Sequence, residues 1–173
     1  MPGKSSSEGL LEPLRTAIKL EQEGKRLFRE ASRKATGPHA RQTFDFLASE
    51  EDRHIEQIRR FYESTRRTGG QEPPSVAGVD PKRRLADFED TLAPLRGELS
   101  PTMSDVEAYK FALKFETGAE EYYREKMNET DNPNVRTFYD WLIREEEMHA
   151  QLLSSCLEFA TDPAGWFRRR GRS

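Results

Sequence analysis

The chain has 173 residues, 34% of them charged and 34% hydrophobic, with a net charge of −3. That is long enough for one domain with a real core, too polar for a membrane protein, and too near neutral to point to nucleic acid. No apolar run approaches the roughly 18–20 residues of a spanning helix. The N-terminal stretch MPGKSSSEG has no apolar signal region, and the one cysteine, Cys156, makes neither an intrachain disulfide nor a Cys-x-x-Cys motif, so a cytoplasmic location is expected. Residues 1–9 read as a flexible N-terminus. A helical pattern then runs from about Leu10 to Lys34, with Leu14, Ala17, Ile18, Glu21, Phe28 and Ala31 on one side. Gly37 and Pro38 break it and open a second helix to about Arg67, carrying Phe44, Leu47, Ile58 and Phe61 at spacings of three and four. Residues 68–103 are a Gly/Pro-rich crossover that includes one short helix, PKRRLADFEDTLAPL, with Pro94 near its end. Ser104 and Glu107 form a capping-box pattern that opens a third long helix to about Glu129. After TDNPNV a fourth runs to about Ala160, followed by a basic tail over 161–173.

Nothing reads as a strand, so the fold class is all-α. Short turns make each helix pair antiparallel, and the long crossover carries the chain back along a four-helix bundle. A shift of 95 residues lays the first pair on the second without a gap. Identities include Ala17/Ala112, Glu21/Glu116, Arg29/Arg124, Pro38/Pro133, Asp45/Asp140, Leu47/Leu142, Glu50/Glu145, Glu51/Glu146 and His54/His149. The domain therefore reads as two repeated antiparallel hairpins, 10–67 and 104–160, related by a pseudo-twofold axis.

At about 100° per residue, Leu142, Val135, Phe138, Tyr139, Leu153 and Cys156 share one direction, which is the buried one. His149 lies about 20° to one side of it and Glu146 about 40° to the other. Glu145 falls on the shoulder at about 60°, and Glu147 points to water. Helix two repeats the pattern with His54, Glu51 and Glu50. In helix one Glu21 lines up with Leu14, Ile18 and Phe28; in helix three Glu116 lines up with Tyr109, Ala112, Leu113 and Tyr123. The inward set is then Glu21, Glu51, His54, Glu116, Glu146 and His149. Four unpaired carboxylates in a core are prohibitively costly to ionise. Two divalent cations remove that cost, since four Glu⁻ and two neutral imidazoles balance them, and imidazole suits iron, manganese or zinc. One Glu from each of two helices plus Glu-x-x-His from each of the other two is a di-metal donor set of helical bundles. A lone Glu-x-x-His is weak evidence; here two of the three histidines carry it, each with a further glutamate thirty residues before its Glu-x-x-His glutamate. Outside the set, His39 reads as a surface or capping residue and Cys156 as a small core residue. Tyr123, two turns after Glu116, can donate to a ligand carboxylate, although its repeat partner is Phe28 and a plain core aromatic fits as well. The arginines at 168, 169, 170 and 172 read as a disordered solubilising tail.

Four segments carry a resemblance: AIKLEQEGKRLFREA, FDFLASEEDRHIEQI, FETGAEEYYREKM and WLIREEEMHAQLL. Together, over roughly residues 10–160, they resemble the rubrerythrin family of the ferritin-like superfamily. The resemblance implies a ferritin-like four-helix bundle, a di-iron centre, and reduction of hydrogen peroxide or oxidation of ferrous iron by peroxide or dioxygen in oxidative-stress defence. It also implies a homodimer. Two departures stand out. Family members usually carry a rubredoxin domain with Cys-x-x-Cys pairs, so here electrons are expected from an external electron-transfer protein. They also carry an extra glutamate three residues after the third-helix ligand, where this chain has Ala119, with Glu120 on a different face. That leaves a symmetric six-donor site. Non-enzymatic iron storage or delivery, a purely structural metal, and a di-iron monooxygenase remain alternative readings of the same residues.

Overall fold

A computed structural model describes residues 5–76, 80–92 and 103–170 of the chain. Among the described residues there are six helices and no strands: α1 (Ser5–Lys34), α2 (Pro38–Thr68), α3 (Pro81–Leu92), α4 (Met103–Glu129), α5 (Pro133–Thr161) and α6 (Pro163–Arg170). The expectations placed on residues 1–4, Pro94 and Arg172 lie outside the described residues. No described helix is long and apolar enough to cross a membrane.

α1 packs along α2 and α4 along α5. The contacts Arg15–Tyr62, Glu21–His54, Lys25–Asp52 and Ser32–Asp45 ascend one helix as they descend the other, so α1 and α2 are antiparallel. Glu116–His149 and Arg124–Glu147 set the same sense for α4 and α5. α1 starts at Ser5 rather than near Leu10, so Pro13 sits inside it. Glu8 occupies the first turn, where the helix dipole favours an anion, and joins Glu12 in holding Arg15.

Two latches join the hairpins. Asp105 in the first turn of α4 accepts from the Thr36 and Gly37 backbone amides at 3.0 and 3.1 Å and from the Thr36 hydroxyl at 2.8 Å. It thereby satisfies amides at the start of α2, whose Gly37 cap has no capping side chain of its own. At the other end, Asn132 caps α5 by accepting from Asn134 and Val135, and the Asn132 and Asn134 amides both donate to the Gly70 carbonyl. Gly70 has φ 81°, and a Cβ there would stand 2.7 Å from Asn132 Nδ2, so only glycine fits. Because α4 begins at Met103, Ser104 lies inside the helix and not at its cap.

The core is split in two. One cluster gathers Phe28, Phe44, Leu47, Tyr109, Ala112, Leu152, Leu153 and Cys156 near the α1–α2 turn. The other gathers Leu14, Ala17, Ile58, Phe61, Tyr123, Val135, Phe138 and Leu142 near the α4–α5 turn. Each fully buried leucine or phenylalanine among them contributes about 1.5–3 kcal/mol. Buried between the clusters lies a layer of charged side chains.

α3 lies across the outside, with Phe88 stacked on Phe46 of α2 at 4.0 Å and Leu85 against the first cluster. Residues 163–170, expected within a disordered tail, instead form α6. Pro163 suits its first turn, Asp162 accepts from the Gly165 amide at 2.9 Å, and Trp166 is buried against Phe159. Gly165 and Trp166 supply a buried contact that the arginines conceal in a composition-based reading, while Phe167 stays 53% exposed.

Candidate metal centre

The charged layer is formed by Glu21 of α1, Glu51 and His54 of α2, Glu116 of α4, and Glu146 and His149 of α5. None is more than 2% exposed. The two imidazoles stack at 5.0 Å and 15°, and both turn Nδ1 toward the carboxylates. His54 Nδ1 lies 3.0 Å from Glu21 Oε2, 3.3 Å from Glu146 Oε1 and 3.5 Å from Glu51 Oε2. His149 Nδ1 lies 3.1 Å from Glu116 Oε1, 3.4 Å from Glu51 Oε1 and 3.6 Å from Glu146 Oε2. Each histidine thus has one glutamate of its own hairpin's first helix, and Glu51 and Glu146 divide their two oxygens between the histidines. Donor atoms of Glu51, His54, Glu146 and His149 all fall within 4.8 Å of one another.

This arrangement is poorly satisfied by the protein alone. A single Nδ1–H donates well to one oxygen and here meets three. Glu51 Oε1, Glu116 Oε2 and both Glu146 oxygens are buried with no hydrogen-bond partner. Buried acceptors left this way are rare and costly. Oxygen and imidazole donors converging on two equivalent clefts are the chemistry of a pair of divalent cations, so the residues fit such ions.

The electrostatics agree. Burial and the Glu51 and Glu146 charges push Glu21 well above the carboxylate range. Burial and the Glu146 charge do the same to Glu116. For Glu51 and Glu146 burial also opposes ionisation, but the facing carboxyls of Glu21 and Glu116 respectively, and the two nearby histidines, hold them low. Burial works against a charge on His54 and His149, yet the surrounding carboxylates hold both well above the ordinary histidine range. Without metal, protons therefore take the place of cations.

On the outer side, His54 Nε2 is 3.4 Å from Glu145 Oε2, and His149 Nε2 is 3.9 Å from Glu50 Oε2. Both shoulder glutamates are buried, Glu50 at 7% and Glu145 at 1% exposure. Arg53 pairs with Glu50 at 3.2 Å and with Glu145; Arg84 of α3 pairs with Glu50 at 3.1 Å and with Glu145. Glu50, His54 and Glu145 also have metal-ligand spacing. Two guanidinium groups already supply the counter-charge there, so this outer triad has no need of an ion.

Tyr123 Oη donates to Glu21 Oε1, and burial with the Glu21 and Glu146 charges keeps the phenol protonated. Gly24, one turn after Glu21, lets α1 approach closely: a Cβ there would meet Phe115 Cε1 at 2.9 Å and Glu51 Cδ at 3.5 Å. Its repeat partner is Ala119, 2% exposed, so neither half offers a seventh carboxylate at this level. Glu120 and Glu147 lie away from the centre and share Arg124. His39 is not a surface residue. It is 4% exposed, with Nδ1 3.1 Å from Tyr109 Oη and its ring against Phe159. Proline at position 38 starts α2 with the His39 face turned inward, which a reading of His39 as a cap overlooked. Cys156 is buried, with Sγ 3.7 Å from Thr43 Oγ1.

Sequence reasoning missed Arg53 and Arg84. Arg53 had a local signal, one turn after Glu50. Arg84 had none of its own, because its role depends on where the crossover helix lies.

A helical bundle around a buried Glu/His layer that could bind metal defines a ferritin-like carboxylate protein. The family model for Rubrerythrin matches residues 12–157, and the chain belongs to that family. No curated protein and no solved structure matches it significantly.

Proposed function

We propose that the chain is a rubrerythrin-like di-iron oxidoreductase that reduces hydrogen peroxide, or is oxidised by dioxygen in ferroxidase turnover. The observation that carries this reading is the set of buried, donorless oxygens on Glu51, Glu116 and Glu146 beside two histidine Nδ1 atoms. In it, Glu21, Glu51, His54, Glu116, Glu146 and His149 would hold the ions, with Glu51 and Glu146 each offering one oxygen beside either histidine. Iron bound there supplies one electron per ion and Lewis acidity at the oxidant. The chain's own residues bind and orient. Tyr123 fixes one oxygen of Glu21 and leaves the other facing the cleft. The two apolar clusters keep water out from both ends of the layer. Gly24 and Ala119 leave the α1–α4 side of the donor set free of a further carboxylate.

The test is direct. Protein loaded with ferrous iron is mixed with hydrogen peroxide or dioxygen, and the ferric absorption is followed. The reading expects about two ferrous ions oxidised per chain, with two electrons and two protons converting each peroxide to two waters. Iron that stays ferrous, or protein that holds zinc but not iron, would sink it. Substituting Glu51 should also weaken metal binding more than substituting Glu50.

A further inference from the structure

The carboxylates outside the histidine pair need two cations, and the repeat provides only one. Glu50 and Glu145 are repeat partners, as are His54 and His149, so the placement of these four side chains obeys the pseudo-twofold, although only the His54–Glu145 corner is within hydrogen-bond distance. Arg53 does not. Its repeat partner is Met148, a buried side chain with no charge, 3% exposed. The missing guanidinium comes from outside both hairpins. Arg84 of α3, its side chain 16% exposed, reaches Glu50 at 3.1 Å and Glu145 as well. Arg53 spans the same two carboxylates from the other side, with its guanidinium also 5.7 Å from the Trp141 ring centroid.

We propose that Arg84 is a positioning residue for the metal centre: through Glu145 it fixes the outer nitrogen of His54 and it holds Glu50 facing that of His149, and so ties the crossover helix to metal binding. The proposal rests on the reading of the inner layer as a metal site. A metal on Nδ1 leaves the proton on Nε2, and a carboxylate accepting that proton fixes ring orientation and raises donor strength. Glu145 stands in that place for His54 at 3.4 Å, while Glu50 faces His149 Nε2 at 3.9 Å, beyond hydrogen-bond distance. Two buried carboxylates facing one guanidinium leave a charge without compensation. One of them would then turn toward water and release its histidine. The opposing effect, relief of repulsion between Arg84 and the bound ions, is weaker, because a guanidinium in contact with two carboxylates has most of its field cancelled at a distance. Arg84 also fixes α3, which otherwise touches the bundle chiefly through Leu85 and Phe88.

Cobalt(II) is the probe, since affinity is read by chelator competition and ligand geometry from its visible bands. The full chain, Arg84→Met, Arg84→Lys and the double variant Arg84→Met/Met148→Arg are compared. Arg84→Met should bind cobalt about 10- to 100-fold more weakly, with altered bands. Its loss of thermal stability should be larger in the cobalt-loaded than in the metal-free protein. Arg84→Lys should fall between it and the parent. The double variant, which returns a guanidinium at the position the repeat predicts, should recover affinity and bands. Parent-like affinity and bands in Arg84→Met would overturn the proposal. So would equal destabilisation of loaded and metal-free protein, which is the mark of a merely structural contact, or a folded double variant that recovers nothing. If the parent chain itself takes up no cobalt, the failure lies with the metal-site reading.

Discussion

The two sides of the stacked histidines solve the same problem in opposite ways. On the Nε2 side two buried carboxylates meet two guanidinium groups, and the charges balance within the protein. On the Nδ1 side four buried carboxylates meet only the two imidazoles; among the described residues none of the four has a lysine or arginine within ion-pairing distance. The chain can place arginines in this layer and does so a few ångströms away. Their absence from the inner side marks the charge left for something that is not protein. The difference separates a structural ion cluster from a binding site even though both consist of buried glutamate and histidine.

The largest test of that contrast removes one carboxylate from each side. Glu51 divides its oxygens between both histidines, so Glu51→Ala should cut the affinity for a second divalent ion by about 100-fold or more, whereas Glu50→Gln should cost about 10-fold at most. Elemental analysis after dialysis reads it: near two ions per chain for the parent and one or fewer for Glu51→Ala. Equal losses would erase the distinction between the two sides. Removing the metals altogether comes next. A ligand at 100 times its dissociation constant stabilises by about 2.7 kcal/mol, which for a domain of this size is roughly 5–10 °C in melting temperature. Calorimetry with and without a chelator should show a drop of that order, and an unchanged midpoint would mean that the six residues share no ion.

The distinction between the sides was only half legible in the sequence. Helical phase is a local property, so the repeat and a count of 100° per residue were enough to gather Glu21, Glu51, His54, Glu116, Glu146 and His149 into one buried layer. The same count put Glu50 and Glu145 on a shoulder, because a shoulder position is buried or exposed according to what covers it. Here α3 covers it, and the placement of a crossover helix follows from contacts far apart in sequence: Arg84 to Glu145, Phe88 to Phe46. Asp105, which latches the α1–α2 turn from α4, escaped for the same reason. α6 escaped because four arginines outweighed one tryptophan in a composition-based reading. What the sequence did hold, unused, was the mismatch of Arg53 with Met148.

Protons report on the inner side more finely. Without metal, the folded protein holds protons on Glu21, Glu116, His54 and His149 more tightly than the unfolded chain does. Groups whose values are raised stabilise the fold below their unfolded pKa and lose that contribution as pH rises through the folded value. Glu50, Glu51, Glu145 and Glu146 are lowered, and their contribution is present above about pH 4.5 and lost below it. Metal-free protein should therefore be most stable in mild acid, then weaken upward, more steeply beyond about pH 6.5 where the histidines join in. Metal-loaded protein should behave oppositely, since protons compete with the ions. The gap in melting temperature between the two forms should widen from about pH 5 to 8, and loading near neutral pH should release about four protons per pair of ions. Titration calorimetry in buffers of different ionisation heat counts them. A constant gap, or release of fewer than about two protons, would contradict this charge distribution.

The smallest expected effect separates the two ion positions from each other. Glu21 has one oxygen fixed by Tyr123, while Glu116 Oε2 is buried without a hydrogen-bond partner. The residue that stands to Glu116 as Tyr123 stands to Glu21 is Phe28, fully buried and without a hydroxyl. The first carboxylate is thus pinned and the second is free to turn, although the donors around the two ions are otherwise the same. Tyr123→Phe should lower affinity about 10-fold for one ion and leave the other within a factor of about two. Phe28→Tyr should do the reverse, adding a donor for Glu116 and bringing the two binding steps closer together, at a cost of about 1–3 kcal/mol for overpacking. Cobalt titrations resolved into two steps read both variants. If Tyr123→Phe shifts both steps equally, the phenol acts on the bundle as a whole and the inequivalence of the two positions has another origin.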